Sequence, residues 1–132
     1  MKTKILILSF AFALMSHAQN KLEIDINGLK SNSGKVMVAL LDETGSSVDQ
    51  KMASPDKMSC QVSFGDLKSG TYAVRYFHDE NENGELDTGI FGIPKEGYGF
   101  SNNARGMMGP PDLEEMLFRV DGNSSMKLTT VN

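Results

Sequence analysis

The sequence predicts an all-β domain, a β-sandwich of six or seven antiparallel strands, from three observations. Apolar and polar residues alternate with a period of two in several short runs, sustained helical periodicity is nearly absent, and clusters of Gly, Pro, Asn and Asp punctuate the runs. A length of 132 residues sets the scale. One hydrophobic core fits in such a chain, and a large enzyme with separate cofactor and substrate domains does not.

The first segment is of a different kind. Lys2 and Lys4 precede the apolar run Ile5 to Leu14, and the small residues Ser16 and Ala18 flank His17 just ahead of Gln19. This is the pattern of a secretory signal peptide, so residues 1–18 are expected to be removed and 19–132 to form a single exported domain, in the periplasm or at the cell surface or secreted. The run is about half of the ~20 residues that a spanning helix needs, and no membrane-spanning segment is expected. The whole chain carries 17 acidic and 13 basic residues for a net charge of −4; loss of the two lysines in 1–18 lowers that to −6. Such a balance lacks the basic footprint of a nucleic-acid binder. An apolar content of 39% also argues against disorder.

Along the remaining chain, Leu22, Ile24 and Ile26 alternate with Glu23 and Asp25 until Asn27-Gly28 ends the run, which predicts a strand with one wet face. Val36 to Leu41 is apolar on both faces and reads as a central strand. Val48 to Met52 offers a short edge strand, and Pro55-Asp56 a turn. Met58 to Phe64 is the next clear strand. It is expected to pair as a hairpin, through Gly65 to Gly70, with a strand in which Tyr72, Val74 and Tyr76 alternate with Ala73, Arg75 and Phe77. From His78 to Pro111 no periodicity survives among seven glycines and three prolines, which predicts one long ordered loop. Asp112 can start a single helical turn before Met116, and strands at Leu117 to Val120 and Ser125 to Val131 close the chain.

The mature segment keeps one cysteine. Cys60 cannot form an internal disulfide and lies too far from the cleavage point to carry a lipid; its alternation with Met58, Val62 and Phe64 reads as a buried thiol.

The strongest chemical signal is Asp79-Glu80-Asn81-Glu82-Asn83-Gly84-Glu85-Leu86-Asp87. With Asp79 as the first place, side-chain oxygens fall at the first, third, fifth and ninth places of a calcium loop, glycine at the sixth and an aliphatic residue at the eighth. Asp79, Asn81, Asn83 and Asp87 would supply side-chain donors and Glu85 its carbonyl. Ile90 stands where a bidentate glutamate belongs, and a strand precedes the loop in place of a helix. Glu96, Asp79 in bidentate mode, a carbonyl around Gly89 or water would have to complete the shell, and weak binding, ~10⁻⁴ M, is expected of a structural calcium held by two acidic ligands. The competing reading is an Asx-rich turn that satisfies its own backbone without metal.

The run His78 to Asp87, followed by Gly92-Ile93-Pro94-Lys95-Glu96-Gly97-Tyr98-Gly99-Phe100-Ser101-Asn102-Asn103, together with Gly34-Lys35-Val36 and Gly70-Thr71-Tyr72-Ala73-Val74, resembles the DUF2141 family of exported bacterial proteins. The resemblance spans essentially the whole mature chain and implies an immunoglobulin-like or transthyretin-like β-sandwich. It implies no activity. A looser similarity links Leu67 to Tyr72 and the Asp-x-Asn-x-Asn-Gly loop to Cna-B-type and SdrD-type stalk modules of bacterial surfaces, whose loops hold calcium.

Tyr98, Phe100, Ser101, Asn102 and Asn103 place aromatic rings beside amide and hydroxyl groups, a combination suited to a glycan or peptide, although rings in a long loop also serve to anchor it to its own domain. Catalysis has little support. One histidine, His78, and one buried cysteine provide no set of nucleophile, base and orienting group. The sequence therefore predicts a non-catalytic exported module with a structural calcium loop and a surface for an envelope protein or glycan. A small metal-dependent hydrolase or lyase that uses the acidic loop is the alternative.

Overall fold

The computed structural model describes residues 20–132. The expected signal peptide lies outside the described residues. Among the described residues there are eight strands: β1 (Asn20–Asn27), β2 (Lys35–Asp42), β3 (Ser47–Ala53), β4 (Cys60–Leu67), β5 (Gly70–Asp79), β6 (Tyr98–Phe100), β7 (Phe118–Val120) and β8 (Ser124–Thr129). One helical turn, α1 (Leu113–Met116), comes after Asp112 as expected. Two sheets result. One has the order β4-β1-β8, and the other runs β3-β2-β5-β6, with β7 also paired to β5.

The sheets face each other across one core. Leu22, Ile24 and Ile26 of β1 with Val62 and Phe64 of β4 meet Val36, Val38 and Leu40 of β2 with Val74 and Tyr76 of β5. These are the residues that period-two alternation turns to one side of each strand. The fold is thus the all-β sandwich that the sequence predicts.

Three features differ from expectation. Met58 to Phe64 and the next strand do not form a hairpin: β4 pairs with β1, and β5 pairs with β2. Both strands bury an apolar face in the same core, and alternation alone cannot tell two strands side by side from two strands face to face. The short connection at Lys68-Ser69 carries the chain across the core, and the Tyr72 hydroxyl donates to the Lys68 carbonyl at 2.6 Å. The sandwich is also not wholly antiparallel, because β8 lies parallel to β1, with Leu22 opposite Ser124 and Ile26 opposite Leu128. Finally, the long segment after β5 contains a strand of its own. β6 pairs Tyr98 with Phe77 and Phe100 with Arg75. Beyond β8 the chain crosses to this second sheet, where Val131 bridges Tyr98.

The outer face of the second sheet is uneven. Leu41 and Ala73 are covered by Met116 of α1 and by Leu113 and Leu117 beside it. Nearer the far end of β5, two cross-strand rows remain open: Met52, Met37, Phe77 and Tyr98, then Gln50, Ala39, Arg75 and Phe100. Among the described residues no helix is long and apolar enough to cross a membrane.

Candidate functional site

Strand β5 ends at Asp79, and the acidic loop starts there. Alternation along the strand sends His78 inward and leaves Asp79 beneath the loop it begins; both are almost fully buried. Asp79 organises the turn. One carboxylate oxygen accepts the Asn83 N–H at 3.2 Å and the other the Gly84 N–H at 2.8 Å. Asn81 and Asn83 continue the pattern with their own side-chain oxygens, which accept the N–H groups of Asn83 at 3.3 Å and Glu85 at 3.0 Å. Gly84 has φ +79, the left-handed turn that its position in the motif requires.

The side chains of this turn converge on Asp87. Asn81 donates through Nδ2 to one Asp87 oxygen, and Asn83 donates to the other at 2.6 Å. Asn81, Asn83 and Asp87 thus meet through their side chains, while the Asp79 carboxylate is turned to the backbone of the same turn, an arrangement that satisfies the turn without a metal. Each carboxamide oxygen has two lone pairs, and only one is used by a backbone N–H. A cation among these four side chains would replace the amide contacts to Asp87 while leaving the Asx turns in place. Glu85 is exposed, and its N–H is held by Asn83. Among the described residues there is no group of three or more His, Cys, Asp or Glu side chains gathered to hold a metal. The loop's donor set is two carboxylates and two carboxamides, which matches a hard, weakly held oxygen-liganded ion and not a transition metal.

Glu96 does something the sequence only hints at. It is 6% exposed, and its two oxygens accept the N–H groups of Glu80 at 2.7 Å and Asp87 at 2.9 Å. One carboxylate thus pins both ends of the loop. The loop is further braced from the β1–β2 connection, where the Ser31 hydroxyl donates to Glu80 at 3.0 Å. Gly34, at φ +70, runs so close that a Cβ there would lie 2.0 Å from the Asp79 carbonyl oxygen.

Beyond Asp87 a small hairpin projects. The Lys95 N–H donates to the Asp87 carbonyl at 2.8 Å, Thr88 bridges Pro94, and the Gly89 N–H donates to Ile93 at 2.7 Å. Its tip holds Phe91 at 96% exposure, so this ring does not anchor the loop.

The five residues predicted to contact a ligand divide into two sets. Tyr98 and Phe100 are half-buried on the open outer face, with ring centroids 6.0 Å apart in an edge-to-face arrangement. Ser101 is fully buried, accepting the Val74 N–H at 2.9 Å and donating to the Met116 carbonyl. Asn102 donates to the carbonyls of Glu115 at 3.1 Å and Leu117 at 2.9 Å, and Asn103 accepts the Thr129 N–H at 2.9 Å. These three side chains hold α1 and β8 in place. Arg75, opposite Phe100, belongs to no motif in the sequence. A lone cation inside an aromatic strand, between Val74 and Tyr76, is the one local signal that marks it.

The groups available for chemistry are subdued. His78 is fully buried, with Nε2 donating to the Ser33 carbonyl and Nδ1 without a partner. Burial pushes the Cys60 thiol up to about 11, so it stays protonated and weakly nucleophilic at neutral pH.

A family model described as an uncharacterized protein conserved in bacteria (DUF2141) matches residues 24–128. No curated protein and no solved structure matches the chain.

Proposed function

Because the chain belongs to the DUF2141 family, whose description assigns no activity, we propose from its loop geometry a non-catalytic exported module in which calcium orders the Asp79–Asp87 loop beside a surface for an envelope protein or glycan. The observation that carries this reading is the meeting of the Asn81 and Asn83 side chains at the Asp87 carboxylate, with the Asp79 carboxylate holding the backbone of the same turn and both ends of the loop held by Glu96. Leu86 and Gly84 of the loop also line the open groove on the second sheet, so ordering the loop shapes a wall of that groove. Calcium here is structural. Its chemistry is to gather oxygen donors, and the protonated Cys60 and enclosed His78 support a module without turnover.

The test is thermal melting with calcium and with chelator. A ligand bound only by the folded state, at ten times its dissociation constant, stabilises by about 1.4 kcal/mol, or about 5 °C for a domain of this size. Asp87→Ala should abolish the calcium response. An unchanged wild-type midpoint, or equal responses from wild type and variant, would remove calcium from the proposal.

A further inference from the structure

The open groove of about 740 Å³ on the outer face of the second sheet carries a more specific reading. We propose that it recognises a uronic-acid oligosaccharide, with the Arg75 guanidinium pairing with a sugar carboxylate and the surrounding rings receiving the sugar faces. This rests on the reading of the domain as a binding module and names the ligand class of its groove.

The register builds the site. Arg75 faces Phe100 across the β5–β6 pair, and Phe77 faces Tyr98, so one cation shares a four-residue cell with three aromatic rings. Directly opposed side chains in such pairs lie about 5 Å apart and the next row about 7 Å away, a spacing commensurate with a pyranose ring. Met37 and Met52 extend the apolar row toward β3, and Gln50 supplies an amide at that end. The volume lies in the range of small-ligand sites, and a mostly apolar lining with a few polar groups is their usual make-up.

Charge selects the ligand. The chain is acidic, with five acids between Asp79 and Asp87, yet no residue lining the groove is acidic, and both charged residues there, Lys51 and Arg75, are cations. Arg75 is exposed and makes no ion pair; among the described residues the one ion pair joins Lys21 to Glu23. An unpaired guanidinium is the preferred partner of a carboxylate, which it binds through two parallel N–H donors. A neutral sugar would leave it unused. An extended peptide is less suited, because peptides that add to sheets take their main-chain bonds from an edge, and this groove lies on the face.

Titration calorimetry of the purified protein with trigalacturonate and with its fully methyl-esterified form tests the assignment. The acid should bind and the ester at least about tenfold more weakly, as expected from loss of a charge-assisted bond. Arg75→Gln should weaken acid binding by a similar factor and leave ester binding and the melting midpoint unchanged. Tyr98→Ala should weaken both ligands. Equal binding of acid and ester, an Arg75→Gln variant that binds as wild type, absence of trigalacturonate binding, or tighter binding of acetyl-Phe-Asp-Phe-amide would each overturn the proposal. Titrations run with calcium and with chelator separate the two readings: Arg75-dependent binding in chelator upholds acid recognition even where the calcium melt fails.

Discussion

Glu96 accepts the backbone N–H of Asp87 at 2.9 Å with one oxygen while its other oxygen accepts that of Glu80 at 2.7 Å. A nearly buried carboxylate therefore closes the acidic loop from outside it. The loop's ends are fixed by a residue nine positions beyond Asp87, which ties the short hairpin between them to the same frame.

Replacing Glu96 should loosen this frame. Glu96→Ala leaves two backbone donors without their charged acceptor and is expected to cost about 2–4 kcal/mol in urea unfolding, since bonds to charged groups contribute about 1.5–3 kcal/mol each. Hydrogen exchange at the amides of Glu80 and Asp87 should accelerate in the same variant. Unchanged exchange at both would contradict the clasp.

The approach of Gly34 to Asp79 makes a sharper steric demand. Gly34→Ala would place a methyl group against the Asp79 carbonyl and force an L-residue into φ +70, so a loss of about 1–3 kcal/mol is expected. A Cβ at Gly84 would meet nothing within 4 Å, and Gly84→Ala should cost only the strain of its positive φ, about 1 kcal/mol. Denaturant midpoints that rank the two variants in the opposite order would refute this account.

Asn102 separates a structural role from a ligand-binding one. Its amide holds the Glu115 and Leu117 carbonyls on either side of Met116. Asn102→Ala should therefore lower stability by about 1–2 kcal/mol while leaving trigalacturonate affinity within twofold of wild type, a factor below about 0.5 kcal/mol. A variant of native stability with lost affinity would move Asn102 into the binding surface.

Stability should fall at alkaline pH. Burial pushes the Cys60 thiol up to about 11 and the Tyr76 phenol up to about 12, the latter partly offset by its bond with Thr130. In the unfolded chain these groups ionise near 9.0 and 10.0. Above pH 9 the unfolded state releases protons that the folded state retains, so unfolding becomes easier as pH rises, and the contribution is complete only below the unfolded values. Urea midpoints should decline between pH 9 and 11, and less steeply in Cys60→Ala. Parallel declines in the two proteins would exclude the thiol as a cause.

The alternating runs determined the β-sandwich, the wet and dry faces of β1 and the two-sided apolar character of β2, and local spacing determined the turn of Asp79, Asn81, Asn83, Gly84 and Asp87, because each is a matter of period two or of neighbours within nine residues. Which strands lie side by side was decided only in three dimensions. β4 and β5 are adjacent in sequence but belong to opposite sheets, and β8 runs parallel to β1, because core burial rewards any arrangement that encloses the same apolar faces. The same holds for the groove. Arg75 and Phe77 lie on one segment and Tyr98 and Phe100 on another, far along the chain, and only the β5–β6 register sets one cation among three rings.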